Sequence, residues 1–470
     1  VVDNQEGVRE PVGMSGVRLE AKVHLVTCAV NAVQNIEKCV RRCGLEVEDV
    51  ILEQLASAHS VLTEDERELG VCIVDIGGGT TDIAIFTEGA IRHTANIPIA
   101  GDQVTTDIAT KGGQYDVLTI GNYEVPIWAK QNWLLELSGM PSDYDEADLL
   151  PAIAGGLSVD GKLYAAPFYG ESAMVMYRTD LAEKAGVTIP AEPTWDEIMA
   201  AAKAMTDKDA GIYGICLRGK AGWGENMAFL SAAANSFGAR WFDMDWNAQF
   251  DSPEWNETVT FYVNLMNDAG PPGASSNGFN ENLALFQTGK CAMWIDATVA
   301  ASFVSNPDDS QVADSVGFAL APDNGLGKRG NWLWAWTLGI PASSEKVEAA
   351  EKFIAWATSK AYLELVAENE GWANVPPGTR TSLYENPKYQ EAAPFAAMTL
   401  SSIQAADPKN PTVDEVPYVG VQFVAIPEFQ GIGTAVGQQF SAALAGQITV
   451  EQALANAQTL TEREMKRAGY

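Results

Sequence analysis

The rare residue types of this 470-residue chain fall into two populations. All three histidines (His24, His59, His93) and four of the six cysteines (Cys28, Cys39, Cys43, Cys72) precede the stretch Val104-Thr105-Thr106-Asp107-Ile108-Ala109-Thr110. All thirteen tryptophans, from Trp128 to Trp372, follow it. A single folded domain usually mixes its rare residues, so a break this sharp points to two separate pieces joined near that stretch. The length is sufficient for two or three domains with large cores.

The net charge is −32 at pH 7. No basic cluster offsets it, which disfavours nucleic acid and anionic membrane surfaces as partners, and no nucleic-acid role is expected. Apolar residues make up 47% and charged residues 20%, the balance of a folded chain rather than a disordered one. No apolar run approaches the length of a bilayer crossing. The opening Val1-Val2-Asp3-Asn4-Gln5-Glu6 lacks a basic region followed by an apolar block, so it does not read as a signal peptide. The cysteines show no Cys-x-x-Cys pair and no metal spacing. Cys39 and Cys43 lie four apart on a predicted helix, without a histidine pair nearby. All six are expected to be reduced and packed, with no metal and no cofactor.

Before the break, Val23 to Val30 reads as a buried strand. Val33, Ile36 and Val40 form a helical pattern that ends at Gly44, and Val50 to Ala58 suggests a second helix. Val71 to Ile76, then Gly77-Gly78-Gly79-Thr80-Thr81-Asp82, then Ile83 to Phe86 reads as strand, glycine turn, strand. Serial glycines reach backbone angles closed to other residues and can point successive N–H groups into one concavity, a nest for phosphate oxygens. Asp75 stands where it can hold a hydrated Mg²⁺, and Thr80 and Thr81 add hydroxyls. The nucleotide-binding candidates are therefore Asp75, Gly77, Gly78, Gly79, Thr80 and Thr81.

These residues, with Glu10 to Arg18 and Ser60 to Gly70, carry a resemblance to FtsA, the actin-like bacterial cell-division protein. The resemblance implies an internal piece of it: residues 1–66 as part of its extra subdomain and the end of its first lobe, and residues 67–109 as the start of its second lobe. It implies FtsZ as a partner of that piece alone. An actin-like cleft has two walls. The first phosphate loop and the adenosine-contacting glycine loop of the family are not found here, so ATP binding is expected to be weak or absent and the site vestigial.

After the break, apolar strands alternate with capped helices, which predicts an α/β fold with mainly parallel sheets. Asp116 to Ile120 reads as a strand. Thr194-Trp195-Asp196-Glu197 and Thr449-Val450-Glu451-Gln452 are capping boxes, Ser252-Pro253 opens a helix that stops at Gly270, and Val347 to Ala357 is amphipathic. Aromatic residues recur beside carboxylates and amides: Tyr123-Glu124 with Trp128, Tyr169-Gly170-Glu171, Trp223 to Asn226, Trp294 to Asp296, and Trp332-x-Trp334-x-Trp336. A carbohydrate needs this mixture, since its C–H faces pack on rings while its hydroxyls both donate and accept. The period of two in the last motif places three indoles on one strand face.

Residues 110–470 resemble the solute-binding proteins of sugar ABC transporters, most closely those for sorbitol, mannitol and related polyols. The resemblance rests on Ala166 to Ser172, Gly214 to Asn226, Gly278 to Asn282, Met293 to Thr298, Asn331 to Trp336 and Val419 to Phe423. It implies a periplasmic-binding-protein-like, two-lobed fold of type II with an incomplete first lobe, preceded by the incomplete actin-like ATPase fragment. It also implies an ABC transporter permease as partner and a periplasmic setting, whereas a chain without an export signal would stay in the cytoplasm. The expected ligand contacts are Tyr123, Glu124, Tyr169, Glu171, Trp223, Asn226, Asp296, Trp332, Trp334 and Arg380, with Tyr169 and the tryptophans as stacking platforms. An enzyme is not expected: a glycosidase would need Glu171 and Asp296 as paired carboxylates, and neither lies in a catalytic motif. The competing expectations are an FtsA-like ATP-binding fragment and a chimera without independent function.

Overall fold

The computed structural model describes residues 15–18, 47, 51, 55, 58, 62, 70–76, 81–87, 90–97 and 101–470. The chain divides into two compact units, residues 1–112 and 113–470.

In the first unit, segments rich in β-branched residues form β1 (Val71–Ile76), β2 (Thr81–Thr87) and β3 (Ala90–Ile97), with strict alternation in β2. They pair in order as an antiparallel meander. Ala58, Ala84 and Phe86 make a small buried cluster, with Leu55, Leu62, Val71 and Ile91 against it. The join predicted at Val104 to Thr110 lies within one unbroken helix, Gly101–Thr110. The predicted strand at 23–30 and helix at 31–44 lie outside the described residues, as do most of residues 50–58, of which Leu55 and Ala58 are helical.

The second unit holds two three-stranded sheets and a small hairpin. One sheet runs β4 (Leu118–Gly121), β11 (Trp334–Gly339), β7 (Ala165–Glu171). The other runs β10 (Val316–Leu320), β8 (Ala173–Arg178), β9 (Met293–Ala297). The hairpin joins β5 (Ser158–Val159) to β6 (Lys162–Leu163). The expectation of mainly parallel sheets is corrected: every pairing between named strands is antiparallel. Parallel pairing survives in single bridges, such as Tyr213 with Cys291 and Cys216 with Trp294. Alternation with helices revealed strand positions but not direction, because long excursions return strands to their neighbours reversed.

The predicted helix signals are realised in side-chain detail. Thr194 Oγ1 accepts from the Glu197 amide at 3.3 Å, and Glu197 accepts from the Thr194 amide at 2.8 Å, opening helix Trp195–Met205. Ser252 caps Pro253–Ala269, and Thr449 caps Val450–Ala468. The amphipathic helix spans Val347–Ala357.

Three chain crossings meet at Ser172, which separates β7 from β8. Its carbonyl accepts from the Thr298 amide at 2.8 Å, and its amide donates to Thr298 Oγ1 at 3.1 Å. Its hydroxyl donates to the Trp332 carbonyl at 2.6 Å. The segments beyond β9 and before β11 are thereby held where β7 leaves one sheet for the other. The large core beneath this junction includes Trp195, Phe229, Trp241, Trp255 and Phe440.

The cysteine expectation is corrected as well. Cys216 and Cys291 form a disulfide with a Cα separation of 6.1 Å. The two stand 75 residues apart, a distance at which sequence spacing carries no pairing signal. Among the described residues, no helix is long and apolar enough to cross a membrane.

Candidate ligand-binding site

One face of the β4-β11-β7 sheet collects the rings and carboxylates. On β11, Trp334 and Trp336 are two apart and share a face, with ring centroids 5.6 Å apart and nearly perpendicular. Directly across on β7, Glu171 pairs with Trp334 and Tyr169 with Trp336, so their side chains stand on the same face. On the other side, β4 offers Gly121 opposite Trp336. A Cβ at Gly121 would overlap the six-membered ring of Trp334, so the glycine makes room for that indole. Trp334 also meets Trp223 at 5.9 Å and Phe423 at 5.9 Å. Trp223 and Trp334 are half-buried and Trp336 is exposed, so indole surface remains open to a ligand.

Trp332 departs from the expected alignment. It precedes β11, is only 2% exposed, and lays its ring 5.6 Å from the Arg218 guanidinium. Arg218 is a member of this cluster that the sequence reading missed. It donates to both oxygens of Asp296 at 2.6 to 3.2 Å, and to the Gly224 carbonyl at 2.8 Å. One arginine in an apolar stretch carries no spacing signal; its partner, Asp296, lies 78 residues away.

The carboxylates differ in what they have left to offer. Asp296 is fully buried and also accepts from Trp294 Nε1 at 3.1 Å and the Ala297 amide at 2.7 Å. It is committed to organising the site. Glu171 is 8% exposed, and its carboxyl makes no hydrogen bond among the described residues. Burial pushes its carboxyl up to about 8; Arg218 opposes that rise and Asp296 adds to it. At neutral pH it presents both an O–H donor and an acceptor, the pairing a ligand hydroxyl requires. Burial, and then the neighbouring Glu171, raise the Tyr169 hydroxyl well above its usual range, so it stays protonated.

Glu124 opens helix Glu124–Lys130 and accepts from the Gly121 amide at 3.1 Å and from Gln430 Nε2 at 2.9 Å. Burial pushes it up to about 7. Tyr123 is buried beneath it, its ring 5.1 Å from Trp223, and its hydroxyl donates to the Ile426 carbonyl at 2.6 Å. Its ring packs among Trp223, Phe423 and Phe429, and its hydroxyl is already engaged. Asn226 is fully buried; it accepts from the Gly222 amide at 3.1 Å and donates to the Gly437 carbonyl at 2.8 Å. These two bonds hold the loop that presents Trp223.

The expectation for Arg380 is corrected. Its side chain is fully buried, stacks on Tyr144 at 4.7 Å, and directs its donors at Thr358, Asp145, Asp148 and Tyr144. Those five contacts engage all five guanidinium N–H groups, leaving none for a ligand. In the first unit, Asp75 lies on β1 and Thr81 begins β2, while Gly77, Gly78, Gly79 and Thr80 lie outside the described residues. No group of three or more His, Cys, Asp or Glu residues suited to a metal occurs among the described residues.

Comparison with known proteins separates the two parts. The family of bacterial extracellular solute-binding proteins matches residues 98–364. The FtsA cell-division family matches residues 72–113, and the SHS2 domain inserted in FtsA matches residues 1–27. The first two overlap between residues 98 and 113, across the join. A mannitol-binding protein of Pseudomonas aeruginosa is 57% identical over 78% of this chain and 84% of its own length. FtsA of the same organism is 90% identical over 109 residues, but this chain spans only 26% of it. Among solved structures, an ABC transporter solute-binding protein from Agrobacterium vitis S4 with bound D-mannitol is 76% identical. It covers 78% of this chain and 89% of its own, with a TM-score of 0.77. A maltose-bound protein of T. maritima shares the fold at 26% identity and a TM-score of 0.64. With its two sheets joined at Ser172 and this family match across more than half its length, the chain belongs to the bacterial extracellular solute-binding proteins, and it carries an FtsA fragment ahead of that domain.

Proposed function

We propose that the larger unit binds a sugar alcohol of the mannitol type and presents it to an ABC transporter permease. The observation that carries this reading is the 76% identity to a solute-binding protein crystallised with D-mannitol. The face described above supports it. A hexitol is a flexible chain with a hydroxyl on every carbon, and it asks for ring surface beside groups that both donate and accept. Trp223, Trp334 and Trp336 supply the surface; Glu171, Tyr169 and Glu124 supply the polar groups. Trp332, Asp296, Asn226 and Tyr123 act behind them. The family, and a buried disulfide of the kind that persists in oxidising compartments, support a setting outside the cytoplasmic membrane.

Thermal-shift titration tests the reading. D-mannitol and D-sorbitol should raise the melting temperature in a saturable way, and maltose should not; no shift with any polyol at about 1 mM, where even a weak site is half filled, contradicts it. A second reading, nucleotide and FtsZ binding by the first unit, is favoured by the 90% identity to FtsA, but it draws on only a quarter of that protein. A fluorescent ATP analogue with Mg²⁺ is expected not to bind.

A further inference from the structure

The segment carrying Arg218 and the segment carrying Asp296 meet without forming a strand pair. Tyr213 and Cys216 bridge to Cys291 and Trp294 in parallel, one bridge each. Three backbone hydrogen bonds accompany them: Tyr213 N–H to the Lys290 carbonyl, Ala292 N–H to that of Tyr213, and Cys216 N–H to that of Met293, at 2.8 to 2.9 Å. With only two bridges, the register of this contact is left largely to the buried side chains that cross it. The Cys216–Cys291 disulfide sits inside this contact, with both residues fully buried. Two residues beyond Cys216, Arg218 grips Asp296, which follows Cys291 by five. Arg218 then reaches on to the Gly224 carbonyl and lies 3.6 Å from Glu225, on the loop that carries Trp223. Its guanidinium is flanked by the rings of Phe279 at 5.4 Å and Trp332 at 5.6 Å, which leaves it little freedom to follow a displaced partner.

We propose that the Cys216–Cys291 disulfide is part of the ligand-binding apparatus: it sets the register of Arg218 against Asp296, and through Arg218 it places the Trp223 platform. Arg218 and the two cysteines are positioning residues in this scheme. The affinity arm of the test rests on the polyol reading; the exchange arm does not.

The test compares the full chain with its Cys216→Ala/Cys291→Ala variant. Amide hydrogen exchange is followed in residues 220–227, where the Gly222 and Asn226 amides are bonded, with β8 as reference. Loss of the disulfide is expected to speed exchange at 220–227 at least about tenfold relative to β8 and to weaken D-mannitol binding at least about fivefold. Leu454→Ala, a buried change on helix Val450–Ala468, serves as the control for lost stability and should do neither. Arg218→Lys, which keeps the disulfide and the charge but loses the fork, should loosen 220–227 and leave 213–216 protected. If the double variant does not fold, the same exchange comparison on the parent chain before and after reduction of its disulfide decides the matter. Unchanged protection at 220–227, or equal loosening by Leu454→Ala, overturns the proposal. If the parent chain binds no polyol, the polyol reading fails and the exchange result alone decides the role of the disulfide.

Discussion

Glu171 and Arg380 are both buried and charged in the sequence, yet their situations are opposite. The Glu171 carboxyl has no hydrogen-bond partner among the described residues and is raised by burial to about 8, so the folded state holds a proton that the unfolded chain releases near the ordinary value of 4.5. The stability this contributes is complete below about 4.5 and is lost as pH rises through about 8. Glu124, raised to about 7, acts in the same direction. The ligand-free melting temperature is therefore expected to fall between pH 5 and pH 8.5, and Glu171→Gln should flatten that fall and weaken D-mannitol binding. A profile identical to the parent's would contradict the assignment. Arg380→Ala should cost about 3–5 kcal/mol of unfolding free energy, because it strands several buried acceptors, and leave D-mannitol affinity unchanged where the chain remains folded. Denaturant unfolding beside titration calorimetry separates the two effects. The sequence revealed Asp296 beside Trp294 and Ile295, and Arg380 after the turn Pro376-Pro377-Gly378-Thr379. It could not reveal that Arg218, 78 residues from Asp296, and Tyr144, 236 residues from Arg380, already engage them.

Legibility was better for elements whose signals are local. Capping boxes and the apolar stripe of Val347–Ala357 are settled within a few residues, and they appear as read. The Trp332-x-Trp334-x-Trp336 period placed two indoles correctly but began one pair too early, because the Ser172 junction claims the Trp332 backbone before β11 starts. Strand direction was misread because it is decided by the path between strands rather than by the strands themselves. Gly121 shows how one element admits another: β4 leaves a gap that the Trp334 ring fills. Gly121→Ala should displace Trp334 and Glu124 and weaken D-mannitol binding about tenfold or more, while the fold survives by circular dichroism. Unaltered affinity would place the ligand elsewhere.

At the scale of the whole molecule, the described strands of the FtsA-like unit pair only with one another, and those of the solute-binding unit do likewise. The disulfide remained hidden because it depends on how residues 216 and 291 are brought together, which only the completed fold decides. The overlap of the two family matches at residues 98–113 agrees with a crossover where both tolerate similar residues. Sequencing the source locus with reads longer than both genes would show a single reading frame if the fusion is natural and two frames if it is not. The most direct measurement is titration calorimetry of the full chain and its Trp223→Ala variant with D-mannitol. One saturable site per chain is expected, weakened at least about tenfold by the variant; no saturable heat from the parent chain, or equal affinity in both, would overturn the polyol assignment.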